Sequence, residues 1–200
     1  MTRMRARRSR ARRAGYTLVE LMMALALFAV AVLGIISMQK VTVASNAHAK
    51  NVAMAQRIAQ AWAGQLEMDG SAWRTGSVFA GGWLNFANAW QRPAYLGARG
   101  FGGAFDALGN ALPDANASQA RFCTHVRMTW LYPDTMGVGG NGMLRAEIRV
   151  FWLRDSEGPV GVPEFCAPTQ DPAVVSAIGL ATDHYHFVYQ TVGIRQHSQI

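Results

Sequence analysis

Proline, acid and cysteine are each scarce where their absence says most. No proline occurs in residues 21–38, where only Gly34 and Ser37 break an apolar run. No acid occurs in residues 1–15, which carry seven arginines. Two cysteines, Cys123 and Cys166, are all that 200 residues contain. A proline-free apolar run of this length can cross a bilayer as one helix, which takes roughly 17–25 residues. Unopposed positive charge beside it is a topology signal that keeps that end cytoplasmic, and anionic lipid reinforces the orientation.

The apparent basicity of the chain does not survive division. Of 19 Lys and Arg, seven lie in the first 15 residues, and the remaining 12 face 12 Asp and Glu. The chain from Tyr16 onward is formally neutral, so no nucleic acid is expected as its partner.

Catalytic patterns are also missing. No Ser/His/Asp set, paired carboxylates or phosphate loop stands at convincing spacing, so neither an enzyme nor a cofactor is expected. Gly137-Val138-Gly139-Gly140-Asn141-Gly142 spells G-x-G-x-x-G, but a dinucleotide site needs a helix directly after it. The two-residue period that follows reads as a strand, which makes the glycines a hairpin loop. His184 and His186 could share a strand face, yet two ligands without a third do not make a metal site. No internal repeat is present.

What is there begins at Gly15-Tyr16-Thr17-Leu18-Val19-Glu20. A secretory signal peptide places its small-residue cleavage site after the apolar region, whereas Gly15 precedes it. Glu20 lies at the start of the apolar stretch, where a carboxylate is costly and generally functional. An ordinary anchor helix tolerates Glu20 near its interface but leaves this order of residues unexplained.

These residues resemble the class III signal of type IV pilins and type II secretion pseudopilins. In that family a basic leader ends in Gly, here Gly15. An aromatic first mature residue follows, here Tyr16 where Phe is commoner, and Glu occupies the fifth mature position, here Glu20. The resemblance implies cleavage between Gly15 and Tyr16 by a prepilin peptidase, N-methylation of Tyr16, and a role in assembly for Glu20. It implies other major and minor pilins, an inner-membrane assembly platform and the lipid bilayer as partners. It also implies a single-pass inner-membrane location, with a cytoplasmic N-terminus and a periplasmic C-terminal domain, before entry into a filament. Ser37 stands where major pilins commonly have Pro. Residues 32–39 and the Ala/Gln-rich residues 53–63 resemble PilV-like minor pilins. A minor pseudopilin is the alternative, and a membrane-anchored periplasmic binding protein is a second one from a different class.

Beyond the apolar run, Val41, Ala44, His48, Val52, Ala55, Ala59, Trp62 and Leu66 recur at steps of three and four. Polar residues fill the other sides, so an amphipathic helix continues to a stop at Asp69-Gly70. The whole helix, residues 16–69, would measure about 80 Å. His48 reads as a packed or rim histidine. Residues 71–120 have scattered aromatics at no steady period. They read as a folded, irregular connector, with a short helix expected around residues 83–90.

Three stretches then alternate as strands do. Phe122, Thr124, Val126, Met128 and Trp130 face one way, and Cys123, His125, Arg127 and Thr129 the other. Leu144, Ala146, Ile148, Val150 and Trp152 oppose Arg145, Glu147 and Arg149. Residues 184–195 supply the third. A turn-rich segment, residues 133–142, joins the first two as an antiparallel hairpin, and a Pro-containing loop, residues 155–183, precedes the third. In an exported, oxidising compartment Cys123 and Cys166 most simply form one disulfide that pins this loop to the first strand. Free thiols or a metal site are the alternative, and the spacing does not fit a compact zinc motif.

The expected class is therefore α+β: a long N-terminal helix, transmembrane then amphipathic, packed on a small antiparallel sheet. The expected divisions are a basic leader at 1–15, a transmembrane and assembly half of the helix at 16–38 and its amphipathic half at 39–69. A connector at 70–120 and the sheet with its disulfide-pinned loop at 121–200 complete them.

Overall fold

A 54-residue helix, α1 (Leu18–Ser71), leads the chain. The computed structural model describes residues 15–71, 88–97, 101–132, 142–154 and 165–195. Good helix formers without proline sustain α1, and it runs through Gly70, where the sequence suggests a stop. By contact the chain divides into two units, Met1–His48 and Ala49–Ile200.

In the first unit most large apolar side chains, from Leu18 through Leu33 to Val43, are exposed. Two hydroxyls here are satisfied within the helix. Ser37 Oγ donates to Gly34 O at 2.8 Å and Thr42 Oγ1 to Met38 O at 2.9 Å. That removes the cost that bare hydroxyls would carry in hydrocarbon. Val41, Ala44 and His48 of the expected stripe are exposed as well.

Burial begins in the second unit. Val52 is half-covered, and Ala55, Ile58, Ala59, Trp62, Ala63 and Leu66 are buried. The alanines at 55, 59 and 63 form a small-residue ridge that lets α1 approach the sheet closely, while Trp62 packs edge-on to Phe101 with centroids 5.2 Å apart.

The sheet has four antiparallel strands in chain order: β1 (Ala104–Phe105), β2 (Phe122–Tyr132), β3 (Met143–Leu153) and β4 (Tyr185–Arg195). Pairs such as Val126 with Ile148 and Met128 with Ala146 place the expected apolar set on one face. Phe122, Val126, Met128, Leu144, Ala146, Ile148, Val150 and Trp152 form one core with the α1 residues. The α+β class and the hairpin of β2 and β3 are as the alternation indicates.

Three features depart from the sequence reading. The connector is more regular than expected: β1 pairs with β2, Gln91 bridges to Val126, and a 3-10 turn forms at Asp114–Gln119. The Asp114 carboxylate ties it together, accepting from Arg92 Nη1 at 2.9 Å and from the Tyr95 amide at 3.1 Å. Of the short helix expected at 83–90, residues 88–90 are not helical and the rest lies outside the described residues. The loop before β4 contains a helix, α2 (Pro172–Ile178), started by Asp171, whose side chain accepts from the Ala173 amide, with Pro172 at the first position. This segment covers the sheet face opposite α1 and builds a second core from Ala104, Cys123, Phe151, Cys166, Ile178 and Tyr185.

Candidate functional site

Two places concentrate the sequence-marked residues: the start of α1, and the disulfide on the second sheet face. At the first, Gly15 and Tyr16 precede the helix and are exposed. Thr17 stands at its N-cap and Glu20 three residues on. The Thr17 amide and hydroxyl donate to Glu20 Oε2 at 3.2 and 3.3 Å, and the Glu20 amide donates back to the Thr17 hydroxyl at 3.3 Å. This is a reciprocal capping box, in which two orphan amides of the first turn are satisfied by side chains. The Thr-x-x-Glu spacing that announces it is in the sequence, where only Glu20's charge drew notice. Chemically, the box places a carboxylate one residue from the Tyr16 nitrogen, at the end of the helix where its dipole favours negative charge.

At the second place, Cys123 and Cys166 form a disulfide with Cα atoms 5.5 Å apart, closing a separation of 43 residues. Both cysteines are buried. The bond joins the start of β2 to the segment ahead of α2, as the loop reading anticipates.

The histidines do not converge. His184 lies in the turn ahead of β4 and is exposed, while His186 lies on β4 with its ring 5.3 Å from Trp152. Among the described residues no group of three or more His, Cys, Asp or Glu is placed to hold a metal ion. Residues 137–141 of the glycine-rich motif lie outside the described residues. The segment that follows is β3, so no helix N-terminus is available there for a pyrophosphate.

With the first turn of α1 and its exposed apolar continuation in place, the comparison with known families bears on this end of the chain. Residues 10–36 match the model of the prokaryotic N-terminal methylation motif. This class III signal supports placement in the type IV pilin-like superfamily, whose members are structural rather than catalytic. The motif implies processing by prepilin peptidase and assembly with other pilins. Neither curated proteins nor solved structures give a match to the chain. α1 is long and apolar enough to cross a membrane, which together with the motif fits a membrane-anchored pilin, and the long helix packed on a four-stranded sheet is a pilin-like fold.

One group that sequence reasoning missed is buried on the second face. Arg149 and His125 read as polar, outward-facing strand residues, yet both are buried. The signal was the run Val150-Phe151-Trp152 beside them. A strand with one wet face does not carry three large apolar residues in succession, whereas a strand covered on both faces does.

Proposed function

We propose that the chain is a minor pilin of a type IV pilus, PilV-like in character, that primes, caps or modifies the filament. The single observation that carries this is the methylation motif at residues 10–36, joined to an exposed apolar helix. Ser37, where major pilins commonly have Pro, supports a minor rather than a major subunit.

In this reading prepilin peptidase cuts after Gly15 and methylates Tyr16. Cleavage removes seven arginines, and with them the charge that holds this end at the cytoplasmic face. Residues 16–38 then serve as the membrane-resident and filament-forming half of α1. Residues 39–69 carry the helix out to the periplasmic domain, and the connector and sheet present that domain outward.

Glu20 has a definite task at assembly. The new amino terminus at Tyr16 is positive, and an opposite charge about 4 Å away is worth about 4 kcal/mol at an effective dielectric near 20. Desolvating both groups in a helix bundle offsets much of that, so the net result is selection of register more than raw affinity. The partner amine comes from the same chain or from its neighbour in the filament.

The test is recovery of the protein in sheared, purified pili from cells in which it is chromosomally tagged. Presence in pili, together with altered piliation on deletion, is the expected result. Absence from pili combined with loss of protein secretion on deletion would assign it to the pseudopilins, which use the same motif.

A further inference from the structure

Beneath α2 lies a guanidinium that no carboxylate meets among the described residues. Arg149 is 1% exposed. Its Nη2 donates to Val175 O at 2.6 Å and to His125 Nδ1 at 2.7 Å, and its guanidinium lies over the Trp90 ring, 4.5 Å from the centroid. Arginine can only donate, so His125 Nδ1 must be bare, and the imidazole proton sits on Nε2. That nitrogen donates to Gln170 Oε1 at 3.1 Å, and the Gln170 amide donates to Phe165 O at 2.9 Å. The bond from Arg149 forms only with a neutral imidazole, whereas the bond to Gln170 survives a second proton. Both ends of this relay lie in residues 165–184, the segment that carries α2.

Among the described residues, the surroundings of His125 offer no anion to a second proton. β3 presents Arg149. The segment ahead of β1 presents Arg92, which is already paired with Asp114 at 2.9 Å. β2 itself contributes Arg127, bonded to Glu147, which Arg145 also approaches at 3.4 Å. From β4 comes Tyr189, its hydroxyl against the Arg149 guanidinium. Residues 165–184 bring neutral Gln170 and the disulfide, while the Asp171 carboxylate caps α2 at 2.8 Å from the Ala173 amide and Asp183 is exposed.

We propose that residues 165–184 form an acid-released strap: protonation of His125 at Nδ1 breaks its bond to Arg149 and sets two buried cations against each other, and α2 leaves the sheet while the Cys123–Cys166 disulfide keeps the segment tethered. The apolar hold of α2 is slight, resting on Val175 and Ile178. Gly179 is fitted against Arg149, where a Cβ would strike Nη1, so the seat of the strap depends on the guanidinium staying where the relay puts it. This inference is independent of the filament reading, because it concerns only the sheet domain.

The direction of the response follows from linkage. Burial, then the charge of Arg149 and more weakly that of Arg92, hold His125 well below the usual imidazole value, against the opposing hydrogen bond to Gln170. A released imidazole titrates near 6.5. Above about pH 6.5 neither state binds the proton, and docking has its full strength. As pH falls below that value the released state gains a proton that the docked state refuses, and docking weakens up to about tenfold per unit until the lower, docked value is reached.

The test is hydrogen–deuterium exchange of the full chain in detergent micelles at pH 7.5 and 5.5, corrected for intrinsic exchange. Expected is about tenfold faster exchange of residues 172–178 at the lower pH, with the amides shared by β2 and β3 unchanged. His125→Gln, which accepts and donates as the neutral ring does and cannot titrate, should flatten the response. Equal corrected exchange at the two pH values overturns the proposal, as does a variant that opens in acid as the wild type does. If the variant does not fold, imidazole 15N spectra of the wild type decide. Coincident midpoints for His125 protonation and α2 exchange support the strap, and midpoints more than about one unit apart refute it.

Discussion

Thr17 and Glu20 cap one another at the start of α1, the Glu20 carboxylate accepting from the Thr17 amide at 3.2 Å while the Thr17 hydroxyl accepts from the Glu20 amide at 3.3 Å. Glu20 thus has a task within its own chain besides any it has toward a neighbour. The carboxylate is held at the helix end, next to the residue that becomes the amino terminus if the leader is cut.

The two tasks separate by substitution. Gln serves in a capping box as Glu does but carries no charge. Glu20→Gln is therefore expected to insert normally and to impair incorporation into filaments nearly as much as Glu20→Ala. Thr17→Ala, which removes the cap and keeps the charge, should cost about 1 kcal/mol of local helix stability and spare most incorporation. Quantitative blots of sheared pili check this. Normal incorporation of Glu20→Gln would reduce Glu20 to a cap.

The disulfide should matter more to the fold than to insertion. On the chain-entropy account, a closed loop of this length, a sequence separation of 43, contributes about 4 kcal/mol. Replacing both cysteines with serine is expected to lower the thermal midpoint of the sheet domain by several degrees while the membrane fraction stays unchanged. Thermal melts of the purified variants followed by near-UV circular dichroism would show it.

Gly70 closes α1 against β4, and a Cβ there would strike the Ile194 side chain. Alanine in place of a helical glycine ordinarily gains up to about 1 kcal/mol. Here overpacking, which costs about 1–3 kcal/mol, should win. Gly70→Ala is expected to destabilise the domain by about 1–2 kcal/mol in denaturant titration, and a stabilised variant would contradict the close approach.

Substitutions along α1 should fall into two classes. Trp62 is fully buried against Phe101 and the sheet, whereas Leu27 is 73% exposed. Trp62→Ala should cost about 3–5 kcal/mol of domain stability. Leu27→Ala should leave domain unfolding within about 0.5 kcal/mol of wild type, its effect appearing in membrane partition or assembly instead. Urea unfolding monitored on both variants separates the classes.

How far the sequence could be read follows from what each signal depends on. The helix and the β2–β3 hairpin were legible because periods of 3.6 and 2 survive when one face of an element is buried, as Ala55, Ala59, Trp62 and Leu66 and the alternation from Phe122 to Trp130 show. β1 was not, since two residues carry no period. α2 hid in a Pro-containing stretch, although Asp171-Pro172 is a fair start signal for a helix. Val41, Ala44 and His48 keep the spacing but are exposed, and spacing alone does not say which part of a long helix has something to pack on. At the candidate site, Gly15, Tyr16 and Glu20 were legible as a motif and the Thr17–Glu20 box was legible but overlooked. The burial of His125 and Arg149 depends on a strap whose position only the fold reveals.

The central claim is that this chain is processed at Gly15 as a prepilin-type protein, and the mass of its mature amino terminus tests that most directly. Intact-mass and N-terminal peptide spectra of protein recovered from membranes of cells with an active prepilin peptidase are expected to show a start at Tyr16 carrying one added methyl group. Protein from such cells that retains its arginine-rich leader would contradict the account, and would make a membrane-anchored periplasmic binding protein the better description.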